Sequence, residues 1–151
     1  MALREIVKVG DSVLRQKAKD VTDFGENLGV LIDDMFDTMF KADGVGLAAP
    51  QVGILRRVCV ISVDGITKYE LVNPVILKSG GTQRGAEGCL SCPGVSGIVA
   101  RPKKLTVSAK NRFGEDKLYK VDGFTAVAFS HEIDHLDGIL FIDKMEKEED
   151  R

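Results

Sequence analysis

The sequence predicts an α+β fold: a central helix near the end of the chain, mostly antiparallel β-sheets around it, and an N-terminal helix packed alongside. Three observations lead there. Residues 27–42 carry apolar side chains at three-four spacing, mainly on one side. The middle of the chain is a series of short extended runs separated by Asp-Gly, Gly-Gly and Asn-x-x-Gly breaks. Residues 124–136 form a second helical stretch that is apolar on two sides, the pattern of a buried helix.

The elements follow in order. Residues 11–18 suit a short helix. In the first long helix Leu28, Leu31, Ile32, Met35, Met39 and Phe40 form the inner face, with Asp33, Asp34 and Asp37 outside, and Asp43-Gly44 stops it. Residues 55–63 read as a strand ended by Asp64-Gly65. Residues 69–77 read as a second, with Pro74 marking an edge or an irregularity. Gly80-Gly81 turns into an extended run over 82–90. Leu105, Val107 and Ala109 alternate, and after the turn at 111–114 residues 118–121 pair back as a hairpin.

In the last helix Ala126, Phe129, Ile133 and Leu136 form one stripe and Phe124, Val127 and Ala128 another. Asp137-Gly138 ends it. Residues 138–142 are expected to continue as a short extended segment, and 143–151 as a charged, frayed tail of a single domain spanning 1–151.

Composition excludes several classes. The chain has 151 residues, 44% hydrophobic and 29% charged, with a net charge of -2. That balance gives no electrostatic case for binding nucleic acid or an anionic membrane. No apolar run is long enough to span a bilayer, and the N-terminus lacks a signal-peptide stretch. Three cysteines, Cys59, Cys89 and Cys92, argue against a disulfide framework and for a reducing, cytoplasmic compartment. Cys59 sits in an apolar run and reads as core.

The chemistry starts from the two histidines, the only ones in the chain, in His131-Glu132-Ile133-Asp134-His135. Four residues apart on a helix, they share a face and can grip one divalent metal, with Glu132 beside them as a proton carrier. A catalytic metal usually has a third protein ligand. Asp137 points to another face, and the carboxylates further on sit mostly in the charged tail. Upstream, Glu87-Gly88-Cys89-Leu90-Ser91-Cys92 offers a thiolate from Cys89 or Cys92. The C-x-x-C pair lacks both the second pair of a zinc ribbon and the helix of a redox dithiol, since Pro93-Gly94 follows. Asp43, Asp134 and Asp137 are candidate acceptors for the histidine N–H groups. A third segment, Gly44-Val45-Gly46-Leu47-Ala48-Ala49-Pro50-Gln51, has small residues that would let a substrate backbone lie close, and an amide able to meet developing negative charge.

Together these segments resemble the peptide deformylase family, whose signatures G-x-G-x-A-A-P-Q, E-G-C-L-S and H-E-x-D-H occur here in order and without substitution. The resemblance implies Cys89, His131 and His135 as metal ligands and Glu132 as general base and acid. Gln51 and the Leu90 backbone N–H would stabilise the oxyanion. Gly46 and Gly88 would lie along the substrate, Glu87 would pair with Arg101, and Val45, Phe124, Val127 and Ala128 would line a methionine pocket. Cys92 falls at a variable position and reads as structural.

The implied activity is hydrolysis of the formyl group from N-formylmethionyl peptides, releasing formate. The implied partners are nascent chains at the ribosome. The implied cofactor is one divalent ion, Fe2+ natively, with Zn2+, Ni2+ or Co2+ able to replace it, in a monomeric enzyme. Two departures stand out. Ser96 occupies a position where many members carry a peptide-holding arginine, and the chain resembles a short form lacking the long C-terminal helix. Two rival readings remain: a general zinc peptidase, which would cleave unformylated peptides, and a metal-stabilised module without activity, which has no use for Glu132.

Overall fold

The computed structural model describes residues 2–147. Helix α1 (Glu26–Lys41) is followed by β1 (Gly46–Ala48), β2 (Val58–Ile61), β3 (Tyr69–Gly80), β4 (Gln83–Cys89), β5 (Cys92–Arg101), β6 (Lys104–Lys110) and β7 (Asp116–Asp122). The chain then enters α2 (Gly123–Leu136) and a one-turn helix, α3 (Phe141–Lys144). Single 3-10 turns occupy Ser12–Arg15 and Ala49–Val52. The strands form a five-stranded sheet, β1-β2-β3-β6-β7, and a separate two-stranded hairpin, β4-β5, antiparallel throughout.

Strand alternation sends side chains to both faces of the large sheet. Cys59, Ile61, Leu71, Leu105, Val107 and Ala109 meet Ala126, Phe129, Ile133 and Leu136 of α2. Leu47, Val58, Val60 and Val72 meet Leu28, Ile32, Met35 and Met39 of α1 on the other face. Covered on both sides, β2 is apolar at every position and fully buried. Tyr69, Tyr119 and Phe129 pack edge to face, with centroids 5.0–6.0 Å apart, and close the α2 side. Arg57 caps the end of α2, donating to the Leu136 carbonyl at 2.9 Å and to Asp137 at 3.0 Å.

Pro74 does mark an irregularity. Asn73 adopts a positive φ of 51°, its side chain exchanges two hydrogen bonds with the Val21 backbone, and the register to β6 shifts between Val72 and Val75.

Three expectations need correction. Asp34 is buried, because residues 2–4 cross over α1 and its carboxylate accepts from the Ala2 N–H and from Arg4. Residues 138–142 are not simply extended: from Phe141 the chain forms α3, since Asp143 accepts from the Leu140 N–H and pairs with Arg15. The charged tail is docked as far as Glu146. Met145 bridges to Val99, the Glu146 N–H donates to the Ile98 carbonyl at 2.7 Å, and its carboxylate pairs with Arg84. Gly97 makes room for this, since a Cβ there would collide with the Met145 side chain. Residues 148–151 of the tail lie outside the described residues.

Candidate metal centre and active site

Helix and strand periodicity assemble the site. His131 and His135 lie one turn apart on α2, with ring centroids 5.0 Å apart. Glu87 and Cys89, two positions apart near the end of β4, both reach that helix. Cys89 Sγ is 3.4 Å from His135 Nε2. The ligand atoms of Cys89, His131 and His135 all lie within 4.8 Å of one another. A sulfur and two imidazole nitrogens at that spacing suit one divalent ion of the zinc or ferrous type.

The acceptor for the first histidine is Glu87, not Asp43, Asp134 or Asp137. His131 Nδ1 lies 3.0 Å from Glu87 Oε1. An N–H on that nitrogen leaves Nε2 as the ligand atom. Arg101, 2% exposed, holds both Glu87 oxygens at 2.9 Å. It also donates to Asp134 at 2.6 Å and to Ser130 at 3.2 Å. Lys144 of α3 adds a second cation on Asp134 at 2.9 Å, and the Phe141 ring stacks over His131 with centroids 6.0 Å apart.

The electrostatics favour a cation. Burial opposes charge on Glu87, but hydrogen bonds from His131 and Arg101 outweigh it and bring the carboxyl to about 2. Burial also opposes charge on His131; Cys89 and Glu87 overcome it and raise the imidazole to about 10. His135, buried and beside that charge, falls to about 3 and stays neutral. The residues thus draw one positive charge to the space among Cys89, His131 and Glu87. A divalent ion held by Cys89, His131 and His135 would supply that charge in place of a proton.

Glu132 stands apart from these pairs. It is 4% exposed, and its Oε1 has no hydrogen-bond partner among the described residues. Burial lifts its carboxyl to about 7, with His131 and Arg101 pulling the other way. Gly46 on β1 is the residue that admits it: a Cβ there would lie 2.8 Å from Glu132 Cγ and overlap the carboxylate. Sequence reasoning placed Gly46 only against substrate and missed this.

Gln51 is held by its own turn. Its Oε1 accepts from the Ala48 N–H at 2.9 Å, which aims Nε2 at Ser91 Oγ (3.1 Å) and Cys89 Sγ (3.5 Å). Leu90 and Ser91 form the turn between β4 and β5.

A cavity of about 400 Å³ opens over these groups. Its walls include Gly46, Gln51, Gly88, Leu90, His131 and Glu132, with Val45, Phe124, Val127 and Ala128 forming an apolar side. Phe124 is 56% exposed at the cavity, whereas Ala128, in the same stripe, also packs in the core. Ser96 is exposed on β5. Three residues were given no role in advance: Ser91, which ends the E-G-C-L-S signature and meets Gln51, and Phe141 and Lys144, which reach the site because α3 folds back on α2. Cys92 is 2% exposed beneath the hairpin, where burial and the neighbouring Cys89 push its thiol up to about 11.

A helix bearing two histidines and a buried glutamate, completed by a thiol and opened to a cavity, defines a mononuclear metal hydrolase. The profile of the polypeptide deformylase family matches residues 3–151. The peptide deformylase of Heliobacterium modesticaldum is 57% identical over 98% of this chain and 97% of its own length. That of Desulfitobacterium hafniense is 50% identical over 97% of each. Among solved structures, peptide deformylase from Thermotoga maritima superposes with a TM-score of 0.94 at 42% identity, covering 97% of this chain and all of that one. The Legionella pneumophila structure gives 0.93 at 46%, covering 96% and 87%. The chain belongs to the polypeptide deformylase family. It is therefore a metal-dependent hydrolase of formylated peptides. No helix among the described residues is long and apolar enough to cross a membrane.

Proposed function

We propose that residues 1–151 act as one catalytic domain that hydrolyses N-formylmethionyl peptides at the cavity over α2, giving formate and a free amine. The observation that carries this reading is Glu132: a buried carboxylate with an unpartnered oxygen, raised to about 7, beside three metal-ligating side chains. A group titrating near neutral pH can take a proton and give it back.

Cys89, His131 and His135 hold the divalent ion, Fe2+ in the native protein and Zn2+, Ni2+ or Co2+ as replacements. Bound there, the ion lowers the pKa of water and polarises the formyl carbonyl. Glu132 accepts the proton from the attacking water and returns it to the leaving nitrogen, a transfer worth about 10²–10⁴-fold. The Gln51 Nε2–H and the Leu90 N–H donate to the carbonyl oxygen as charge builds on it, roughly 3 kcal/mol for one such donor. Gly46 and Gly88 border the peptide backbone.

The methionine side chain lies along Val45, Phe124, Val127 and Ala128, whose burial of it contributes about 1.5–3 kcal/mol. Glu87 and Arg101 keep His131 oriented. We place the enzyme in the cytoplasm as a monomer acting on nascent chains at the ribosome.

The test is formate release from formyl-Met-Ala-Ser by protein loaded anaerobically with Fe2+. Glu132→Ala should lose about 10²–10⁴-fold in turnover while keeping its metal. Cys89→Ala should lose the metal itself. Full activity in Glu132→Ala would sink the mechanism, and cleavage of unformylated peptides at a similar rate would favour a general peptidase.

A further inference from the structure

Cys89 and Cys92 are register partners across the β4-β5 hairpin, joined by the two-residue Leu90-Ser91 turn. Antiparallel partners have Cα atoms roughly 4.5–5.5 Å apart with side chains on the same face. Disulfides need roughly 4.4–6.8 Å. Both side chains also join one cluster, with Leu14, Val99, Leu140 and Phe141. Their exposure differs. Both line the open cavity, but Cys89 is half-buried whereas Cys92 is only 2% exposed. A small oxidant entering the cavity meets Cys89 first, and Cys92 lies directly across the strand from it. The third cysteine, Cys59, is fully buried in β2 and packs in a different cluster.

We propose that Cys89 and Cys92 form an oxidative modification site: in the metal-free chain a hydroperoxide converts the pair to a disulfide, which shields Cys89 from irreversible oxidation. In the first step the Cys89 sulfur attacks the peroxide O–O bond, giving a sulfenic acid and, from hydrogen peroxide, one water. In the second the Cys92 sulfur attacks the sulfenic sulfur, the S–S bond forms, and hydroxide leaves as a second water. Two thiols lose two electrons and the peroxide gains them. A thiol reductant reverses the change. The disulfide removes one of the three ligands, so it blocks metal uptake until it is reduced. That consequence rests on Cys89 being a metal ligand, whereas formation of the bond does not.

The experiment reads the bond directly. The protein is stripped with a chelator, treated with a several-fold excess of hydrogen peroxide, alkylated and digested with trypsin. Residues 85–103 carry Cys89 and Cys92 on one fragment, and residues 58–68 carry Cys59 on another. The first fragment should lose two hydrogens and refuse alkylation, and the second should alkylate as before. Dithiothreitol should restore both thiols and stoichiometric Zn2+ uptake. Cys92→Val and Cys92→Ser should instead take two or three oxygens on Cys89, as sulfinic or sulfonic acid, and stay unable to take up metal after reduction.

Gain of oxygen on wild-type Cys89 without loss of two hydrogens would overturn the proposal. So would equal recovery by dithiothreitol in the Cys92 variants. A disulfide that forms while the untreated Fe2+ protein releases no formate would leave this site standing and remove the deformylase reading.

Discussion

Helix α2 is held from two sides by different physics. The five-stranded sheet grips it through apolar contacts: Ala126, Phe129, Ile133 and Leu136 against Cys59, Ile61, Leu71 and Val107. The β4-β5 hairpin grips it mainly through charge, with Arg101 from β5 joining Glu87 of β4 to Asp134 of α2, and Glu87 in turn holding His131. Dispersion and hydrophobic burial are non-directional, so the sheet fixes where the helix lies. Paired hydrogen bonds are directional, so the hairpin fixes how the imidazole is turned. The difference teaches that stability and chemistry are separable on one helix, and substitutions on each side test it.

The largest effect is expected at the ionic side. Arg101→Met leaves Glu87 buried with part of its pairing gone and the half-buried Asp134 with Lys144 alone, and breaking a buried pair costs about 3–5 kcal/mol. It also frees His131 to rotate. Both the urea midpoint and the affinity for Zn2+ should fall. A variant that loses stability but binds metal as tightly as wild type would show that the hairpin does not orient the ligand. On the apolar side, Phe129→Ala removes a fully buried ring from the aromatic trio, a loss of about 3–5 kcal/mol. Here the effect should appear in stability alone: at low temperature, where the variant is folded, Zn2+ affinity and formate release per folded molecule should stay close to wild type. Loss of metal affinity in that variant would mean the two grips are coupled.

This contrast also explains what was legible beforehand. Apolar periodicity placed α1, α2 and the strands, because packing against a face leaves a regular trace in sequence. The proposed ligands Cys89, His131 and His135 and the proposed base Glu132 stood out because each lies in a short contiguous motif, and the fold brings them together. What was hidden is whatever joins distant segments. Nothing near Asp34 shows that residues 2–4 will cover it. Nothing in the run 141–146 shows that Phe141 stacks on His131, or that Met145 docks against Gly97. Charged residues at a chain end look solvated until partners such as Arg84 and Arg15 are placed opposite them. The carboxylate that accepts from His131 was missed for the same reason. Glu87 lies 44 residues from His131, whereas two of the three candidate aspartates, Asp134 and Asp137, lie beside the histidines in sequence.

A smaller effect is expected when only the acceptor changes. Glu87→Gln keeps the shape and a carbonyl oxygen for His131 Nδ1–H but removes the negative charge that the pair shares. Outer-shell substitutions of this kind cost about 10–100-fold in metal affinity or activity. The measurement is a competitive Zn2+ titration against a chelator, with circular dichroism to confirm folding. Unchanged affinity would assign Glu87 to Arg101 and the hairpin alone.

The same variant sharpens the comparison through pH. The Glu87 carboxyl is lowered from 4.5 to about 2 in the folded chain. A depressed carboxylate contributes stability that is present above its unfolded value and is lost as pH falls through the folded one. In metal-free wild type this contribution should therefore fade as pH is lowered from about 4.5 to about 2. Glu87→Gln has no such proton to take up, so its melting temperature should start lower at pH 7 and fall less steeply across that window. Phe129→Ala should be lower at every pH but keep the wild-type slope, because no ionisable group is removed from the apolar side. Parallel curves for wild type and Glu87→Gln would mean that the ionic grip adds nothing beyond what packing supplies.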